Sequence, residues 1–229
     1  MSRCLFSIGL ATVLLSCATA PVAPSQEAPA GWAEMLDAYR LFAKGDYPAV
    51  RMAVDAIRLA QPAPMLEPSL DLLEAYALEL QGGTGVAKDL YSSIVDQNPR
   101  TTQAYEASLR LRELKRLESE QITRAQLKQR IEARSDSALH RYGFGVQPLS
   151  RVDPRYPQIP LAAGIEGWVL VDFEISGDGT IADPVVFDSH PPFVFDAATL
   201  AAIRHWVYEP STGSEPLRRK VKLQFELEK

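Results

Sequence analysis

The chain has 229 residues, of which 46% are hydrophobic and 23% charged, and its formal net charge is −5. A chain of this length has room for two modest domains. The mild acidity argues against nucleic acid as a partner, because a surface that binds nucleic acid carries excess positive charge. The two cysteines, Cys4 and Cys17, both lie near the N-terminus, so the rest of the chain has neither a disulfide framework nor a CxxC motif.

Residues 1–17 are predicted to be a signal peptide. Arg3 precedes an apolar stretch from 5 to 15, which as a helix would be about 17 Å long. A membrane core needs about 30 Å, so a cleaved leader fits better than a membrane span. Leu14-Leu15-Ser16-Cys17 resembles a bacterial lipobox, and Cys17 is therefore the expected lipid-attachment residue.

Residues 18–30, rich in Ala and Pro, are then an extended tether. Ala18 stands where an Asp would indicate retention in the inner membrane, which favours an outer-membrane lipoprotein on the periplasmic side. The alternative is a plain secreted protein in which Cys17 falls at this position by chance.

Residues 31–114 are predicted to form a helical repeat domain. The turn at Gly45-Asp46-Tyr47 and the exit at Pro62 recur 37 residues later as Gly82-Gly83 and Pro99. This self-similarity indicates a repeat array, and the units resemble tetratricopeptide repeats. A further helix from Thr102 to Leu114 would cap them. An unrelated helical bundle with the same packing needs is the alternative.

Residues 115–139 are charged and helix-prone, and we expect a solvated connecting helix there rather than a basic binding patch. Residues 140–154 contain Gly143, Gly145, Pro148 and Pro154. This composition indicates a linker into the last domain.

The last stretch, 155–229, shows the alternation of a half-buried sheet. Val169, Val171, Phe173 and Ile175 point one way and Leu170, Asp172 and Glu174 the other; near the C-terminus, Leu223 and Phe225 alternate with Lys222, Gln224 and Glu226. Period-two alternation favours an antiparallel sheet with one buried and one solvated face.

Turns and helices complete the predicted C-terminal fold. Gly177-Asp178-Gly179 provides a hairpin turn, so the strands on either side should pair. A short helix should end at Gly164, and a longer one should run from Phe195 to Val207 with Asp196 as N-cap. The fold class is α+β: an all-α repeat domain, then a three-stranded antiparallel sheet with a packed helix.

Several short motifs in this stretch occur together in one order. They are Tyr156-Pro157, Gly177-Asp178-Gly179, Phe195-Asp196-Ala197-Ala198 and Trp206-Val207-Tyr208-Glu209-Pro210. In this combination the stretch resembles the C-terminal domain of the TonB family. The resemblance implies a periplasmic module that binds an extended peptide from an outer-membrane transporter by adding it as a strand. It places that peptide beside the last strand, at Lys220, Val221, Lys222, Leu223, Gln224, Phe225 and Glu226.

The sequence offers no arrangement for catalysis. His140, His190 and His205 are far apart, and none has a second ligand at metal-binding spacing. We therefore expect no enzyme activity, no metal and no cofactor.

Three hypotheses remain open at this point. In the first, the chain is a lipid-anchored adaptor whose helical repeats and sheet edge each bind protein segments. In the second, it is a variant energy transducer that keeps its N-terminal segment as an anchor. In the third, the last domain forms a homodimer through its strand. The short leader and the helical spacer depart from a dedicated energy transducer.

Overall fold

The computed structural model describes residues 28–137, 148–210 and 217–228. The predicted signal peptide, Cys17, most of the tether and most of the linker at 140–154 lie outside these residues. The helical unit contains α1 (Trp32–Ala43), α2 (Tyr47–Leu59), α3 (Glu67–Leu80), α4 (Thr84–Gln97), α5 (Thr102–Ser119) and α6 (Arg124–Ser137). The C-terminal unit contains α7 (Gln158–Ala163), β1 (Gly167–Ile175), β2 (Ile181–His190), α8 (Asp196–Ile203) and β3 (Leu217–Phe225).

The helices of the first unit form where the repeat pattern predicts them. The Asp46 carboxylate caps α2 by accepting the Ala49 N–H at 3.2 Å. Helices α1 to α4 each pack against the next helix in the chain, and the apolar stripes of α1 to α5 are buried between them. Their likeness to tetratricopeptide repeats stays a prediction.

The predicted connecting helix at 115–139 is wrong in its extent and in its solvation. Helix α5 continues to Ser119, a turn follows, and α6 begins at Arg124. Leu127 and Ile131 of α6 are buried, because residues four apart share one face of a helix. Lys128 forms an ion pair with Asp188 in the C-terminal unit, at 2.8 Å. Because many residues of this segment are charged, its composition did not predict the short apolar face formed by Leu127 and Ile131.

The C-terminal sheet is antiparallel throughout, with strand order β2-β1-β3. The β1–β2 hairpin forms around Gly177–Gly179, as predicted, and β3 pairs with β1 in an unbroken register from Gly167↔Phe225 to Ile175↔Leu217. Val169, Val171 and Phe173 are fully buried on the face that α8 covers. The mixed architecture of a packed helix on a three-stranded sheet is thus confirmed.

Helix α8 is shorter than the sequence predicts. It ends at Ile203, and Asp196 is its first residue rather than its cap, with no side-chain capping bond. Val207 instead exchanges backbone hydrogen bonds with Ser150, at 3.0 and 3.1 Å. The indole N–H of Trp206 donates to the carbonyl of Val152 at 2.8 Å. Pairing with a distant segment therefore overrides the local helical preference after Ile203.

Asp172 departs from the predicted solvated face of β1, since it is fully buried. Its carboxylate accepts the Nε–H of Arg218 at 2.8 Å, and Arg218 also reaches Glu174 at 2.7 Å. Burial raises the pKa of Asp172, and the Arg218 guanidinium opposes that rise. The pair joins β1 to β3 on the face away from α8, so it helps to fix the position of the outer strand.

The two units pack against each other along one side of the helical unit. We call this side, formed by α1, α3 and α5, the docking face. Arg40 of α1 donates to the carbonyl of Ala163 at 2.9 Å. The ring of Phe193 lies 5.1 Å from that of Tyr76 in α3, and the Arg110 guanidinium of α5 stacks on Phe193 at 4.1 Å. The chain's own C-terminal unit covers this side of the helical unit, and the binding of a further protein segment by the repeats stays a prediction.

Gly179 provides a test of the hairpin. It has φ of +84°, and a Cβ atom there would overlap the carbonyl oxygen of Tyr208. Gly179→Ala should lower the free energy of unfolding by about 3 kcal/mol, from backbone strain plus steric overlap. Gly164→Ala is the matched control, because Gly164 has φ of +68° with open space around it; it should cost about 1 kcal/mol. Urea unfolding measures both, and equal losses would contradict this account.

The buried pair of Asp172 and Arg218 yields a second prediction. Arg218→Met leaves the Asp172 carboxylate buried without its cation, so we expect a loss of about 3 kcal/mol at pH 8. The loss should shrink toward pH 5, because protonation of Asp172 removes the need for a cation. Lys222→Met, at an exposed position of the same strand, is the control and should cost less than about 1 kcal/mol. Urea unfolding at both pH values is the measurement; a loss independent of pH would contradict it.

Candidate functional site

The candidate site is the outer edge of β3. β3 pairs with β1 on one side, and on its other side the described part of the chain places no further strand. An unpaired strand edge presents backbone N–H and C=O groups that can pair with another chain.

The backbone groups that face outward can be assigned from the hydrogen bonds at the two ends of the sheet. Leu227 donates its N–H to the Glu166 carboxylate, on the β1 side, at 2.9 Å. At the other end of the sheet, the N–H of Ser176, directly after β1, donates to the carbonyl of Thr180 on the β2 side and so points away from β3. Backbone direction alternates along a strand, so the N–H and C=O groups of Lys220, Lys222 and Gln224 point away from β1.

A groove of 180 Å³ continues this edge at the C-terminal end of β3. It is lined by Arg151, Asp153, Pro154 and Tyr156 on one side and by Leu223, Gln224, Phe225 and Glu226 on the other. Tyr156 fixes its floor. The Tyr156 ring meets Phe195 and Phe225 edge-on at 5.5 and 5.6 Å, and its hydroxyl donates to the carbonyl of Ile165. The groove is therefore rigid on at least one side.

The two faces of the sheet give this edge different surroundings. On the outer face, the Lys220 ammonium lies 3.9 Å from the ring centre of Phe187, and that of Lys222 lies 4.3 Å from Trp168. Cations held on aromatic faces stay close to the sheet. On the inner face, Leu223 and Phe225 are buried in the core. An added strand would thus meet positive charge on one face and apolar surface on the other.

The predicted site residues lie together on one strand. Lys220 to Phe225 belong to β3, and Glu226 follows it directly. The buried side chains of Leu223 and Phe225 belong to the core, so they would support a ligand rather than contact it extensively. Cys17 lies outside the described residues.

The histidines remain apart. His190 ends β2 and His205 follows α8, both exposed, and His140 lies outside the described residues. The described ranges contain no cluster of three His, Cys, Asp or Glu residues able to hold a metal. Within the same ranges, no helix has the length and apolar character to span a membrane.

Two features of this site escaped the sequence analysis. One is the aromatic support of the lysines by Phe187 and Trp168, which lie at solvent-facing strand positions. The other is Asp172, a carboxylate within an apolar strand whose partner is far away in sequence. An aromatic residue on the solvated face of a strand, with a lysine on a neighbouring strand, is the signal that could have indicated the first.

Comparisons with known proteins agree with this geometry. Residues 152–227 match the family model described as the Gram-negative bacterial TonB protein C-terminal. Protein TonB of Pseudomonas aeruginosa PAO1 is 39% identical over 82 residues, which cover 35% of this chain and 24% of that protein. Protein TonB of Escherichia coli K12 is 36% identical over 66 residues, 29% of this chain and 28% of that protein.

A solved structure is similar as well. The solution NMR structure of the Pseudomonas aeruginosa TonB C-terminal domain has 34% sequence identity and a TM-score of 0.33, and the alignment covers 38% of this chain and 90% of that one. The chain spans less than a third of the length of the full-length TonB relatives that it matches. Within those limits, residues 152–227 of this chain are a C-terminal domain of the TonB family.

Proposed function

We propose that this chain is a protein-binding component of the cell envelope, whose TonB domain captures an extended peptide as a fourth strand beside β3. The observation that supports the proposal is the edge of β3 from Lys220 to Phe225, beside which the described residues place no further strand, together with its adjoining groove. Strand addition obtains its affinity from backbone hydrogen bonds and its selectivity from alternate side chains. Four or five such bonds at about 0.5–1.5 kcal/mol each, opposed by association entropy, correspond to an affinity of about micromolar.

The surroundings of the edge suggest what the peptide contains. Residues on the outer face of an added strand would lie near Lys220 and Lys222, and those on the inner face near Val221. A peptide that alternates acidic and apolar residues is therefore the best match. The periplasm-facing segment of an outer-membrane transporter is the proposed source, in keeping with the family of the domain.

In this proposal, the chain is a lipoprotein adaptor attached through Cys17 on the periplasmic side, with no catalytic activity. The helical unit holds the TonB domain through the docking face rather than offering a second open groove there. A variant energy transducer that keeps its N-terminal segment as an anchor is the second candidate, and the family of the domain favours it. Pairing of two copies through β3 would use the same edge and is an outcome of the test below.

Proline substitution at the edge tests strand addition. Gln224→Pro removes a backbone N–H that points away from β1, while the exposed side chain contributes nothing to the core. Binding of synthetic peptides that copy the periplasmic segments of outer-membrane transporters from the same cell should weaken roughly tenfold, from the lost hydrogen bond and ring clash. Fluorescence anisotropy measures the affinity, and amide chemical shifts should change along β3 on binding.

Gln224→Ala is the matched control, because it keeps the N–H and should bind within about twofold of the original protein. Unchanged peptide binding by a folded Gln224→Pro variant would contradict the proposal. If peptide binding is absent and sedimentation instead shows a dimer that Gln224→Pro abolishes, the edge serves self-association.

The lipid anchor has its own prediction. Metabolic labelling with palmitate should label the original chain and the Cys4→Ala control, whereas Cys17→Ala should lose both the label and its retention in the membrane fraction. If Cys17→Ala instead remains an integral inner-membrane protein of unprocessed mass, the energy-transducer candidate replaces the lipoprotein adaptor.

A further inference from the structure

Two carboxyl groups line one cleft at the boundary between the helical unit and the TonB domain. Glu106 of α5 accepts the Tyr76 hydroxyl hydrogen bond at 3.1 Å, and Asp196 begins α8 on the other side. Burial raises the pKa of both carboxyl groups, and the charge of Asp196 raises the pKa of Glu106 further. One oxygen of Asp196, Oδ1, has no hydrogen-bond partner in the described structure.

The cations nearby are already matched. Arg110 pairs with Glu79 and Glu113 at 2.5 Å each. Arg124 pairs with the same two carboxylates, at 2.9 and 3.3 Å. The two guanidinium groups thus form their ion pairs with Glu79 and Glu113, and neither forms an ion pair with Glu106 or Asp196. A buried pair of carboxyl groups without cations of its own cannot ionise fully at low cost.

Arg110 and Arg124 act against the burial of Asp196 and lower its pKa, but both are already paired with Glu79 and Glu113, so neither belongs to this pair alone. Tyr39 and Tyr76 face Glu106 as neutral phenols, and burial raises the pKa of each. Ser189 of β2 acts on Asp196 from the other side and lowers its pKa. The remaining charges line the open cleft beside the pair; these are Arg112, Arg116, Asp183 and Arg204, all exposed. Lys128 of α6 is held by Asp188.

We propose that Glu106 and Asp196 form a proton-dependent latch between the helical unit and the TonB domain, which holds while the pair carries a proton and releases when both groups ionise. Phe193 is the proton-independent part of the same contact, since its ring is covered by Tyr76 and by the guanidinium groups of Arg110 and Arg124, at 4.1 and 4.9 Å. Release would expose the docking face of α1, α3 and α5.

The direction of the pH effect follows from burial. In the docked state burial raises the pKa of Glu106 from 4.5 to about 7 and that of Asp196 from 3.8 to about 6. In separated, hydrated units both values fall back. Docking therefore favours the protonated forms, so it is strongest at low pH and weakens as the pH rises through 6 and 7. Between pH 5 and 8 the docking equilibrium constant should fall several hundredfold, with about 70-fold from Glu106 and about 10-fold from Asp196.

Distance measurement between spin labels tests the latch in the full chain. The native cysteines are replaced by serine, and labels are placed through Ser92→Cys on α4 and Glu209→Cys in the TonB domain, both exposed positions. We expect one short distance at pH 5.5 and a second, longer distance whose population grows between pH 6 and 8. Phe193→Ala should show the longer distance even at pH 5.5.

The decisive variant is Glu106→Gln with Asp196→Asn, which removes both charges and keeps the shapes. It should give only the short distance at every pH. If the double variant fails to fold, Glu106→Gln alone should remove most, though not all, of the pH response. Glu118→Gln is the control, because Glu118 lies on the same helix but pairs with Lys88 away from the latch; it should keep the original pH profile. A distance distribution that does not change from pH 5.5 to 8, or a neutralised variant that keeps the pH response, would overturn the proposal.

Discussion

The central position of β1 is the constraint on which the C-terminal unit depends. β1 is paired on both sides, so the unsatisfied backbone groups of the sheet fall on the two outer strands. β2 is poorly suited to accept a further strand, because it contains Pro184, a positive φ at Asp183 and two irregularities in its register with β1. β3 has none of these features over its nine residues. The sheet therefore protects one edge by its own sequence and leaves the other regular.

The sheet face away from α8 carries both the ion pair that fixes β3 and the positive charges of this strand. Arg218 is drawn to the buried Asp172, and Lys220 and Lys222 lie on aromatic rings of β2 and β1. Charged residues along an edge strand commonly prevent aggregation. Here the cations lie flat against the sheet, so the backbone beside them stays accessible.

Local sequence patterns predicted most helices and strands of this fold. The features that they did not predict depend on contacts between residues far apart in the sequence. Alternation in β1 and β3, the hairpin glycines and Gly164 correctly indicated the sheet and the short helix before it. The end of α8 could not be predicted, because Val207 leaves the helix to pair with Ser150, more than fifty residues earlier. The burial of Asp172 likewise depends on Arg218 from another strand. In the helical unit, Arg110 occupies a buried position of an apolar stripe with Ala107 and Leu114, and its partners Glu79 and Phe193 come from two other elements.

The docking contact and the candidate peptide edge occupy different sides of the TonB domain, yet one short segment connects them. The contacts with the helical unit run through α7, α8 and β2, whereas the free edge belongs to β3. Phe193 lies against Tyr76 in the helical unit, and two residues later Phe195 stacks on Phe225 at 4.3 Å, beside Tyr156 in the groove. Packed aromatic rings of this kind do not deform independently. The segment from Phe193 to Phe195 therefore joins the contact with the helical unit to the aromatic cluster beside the groove.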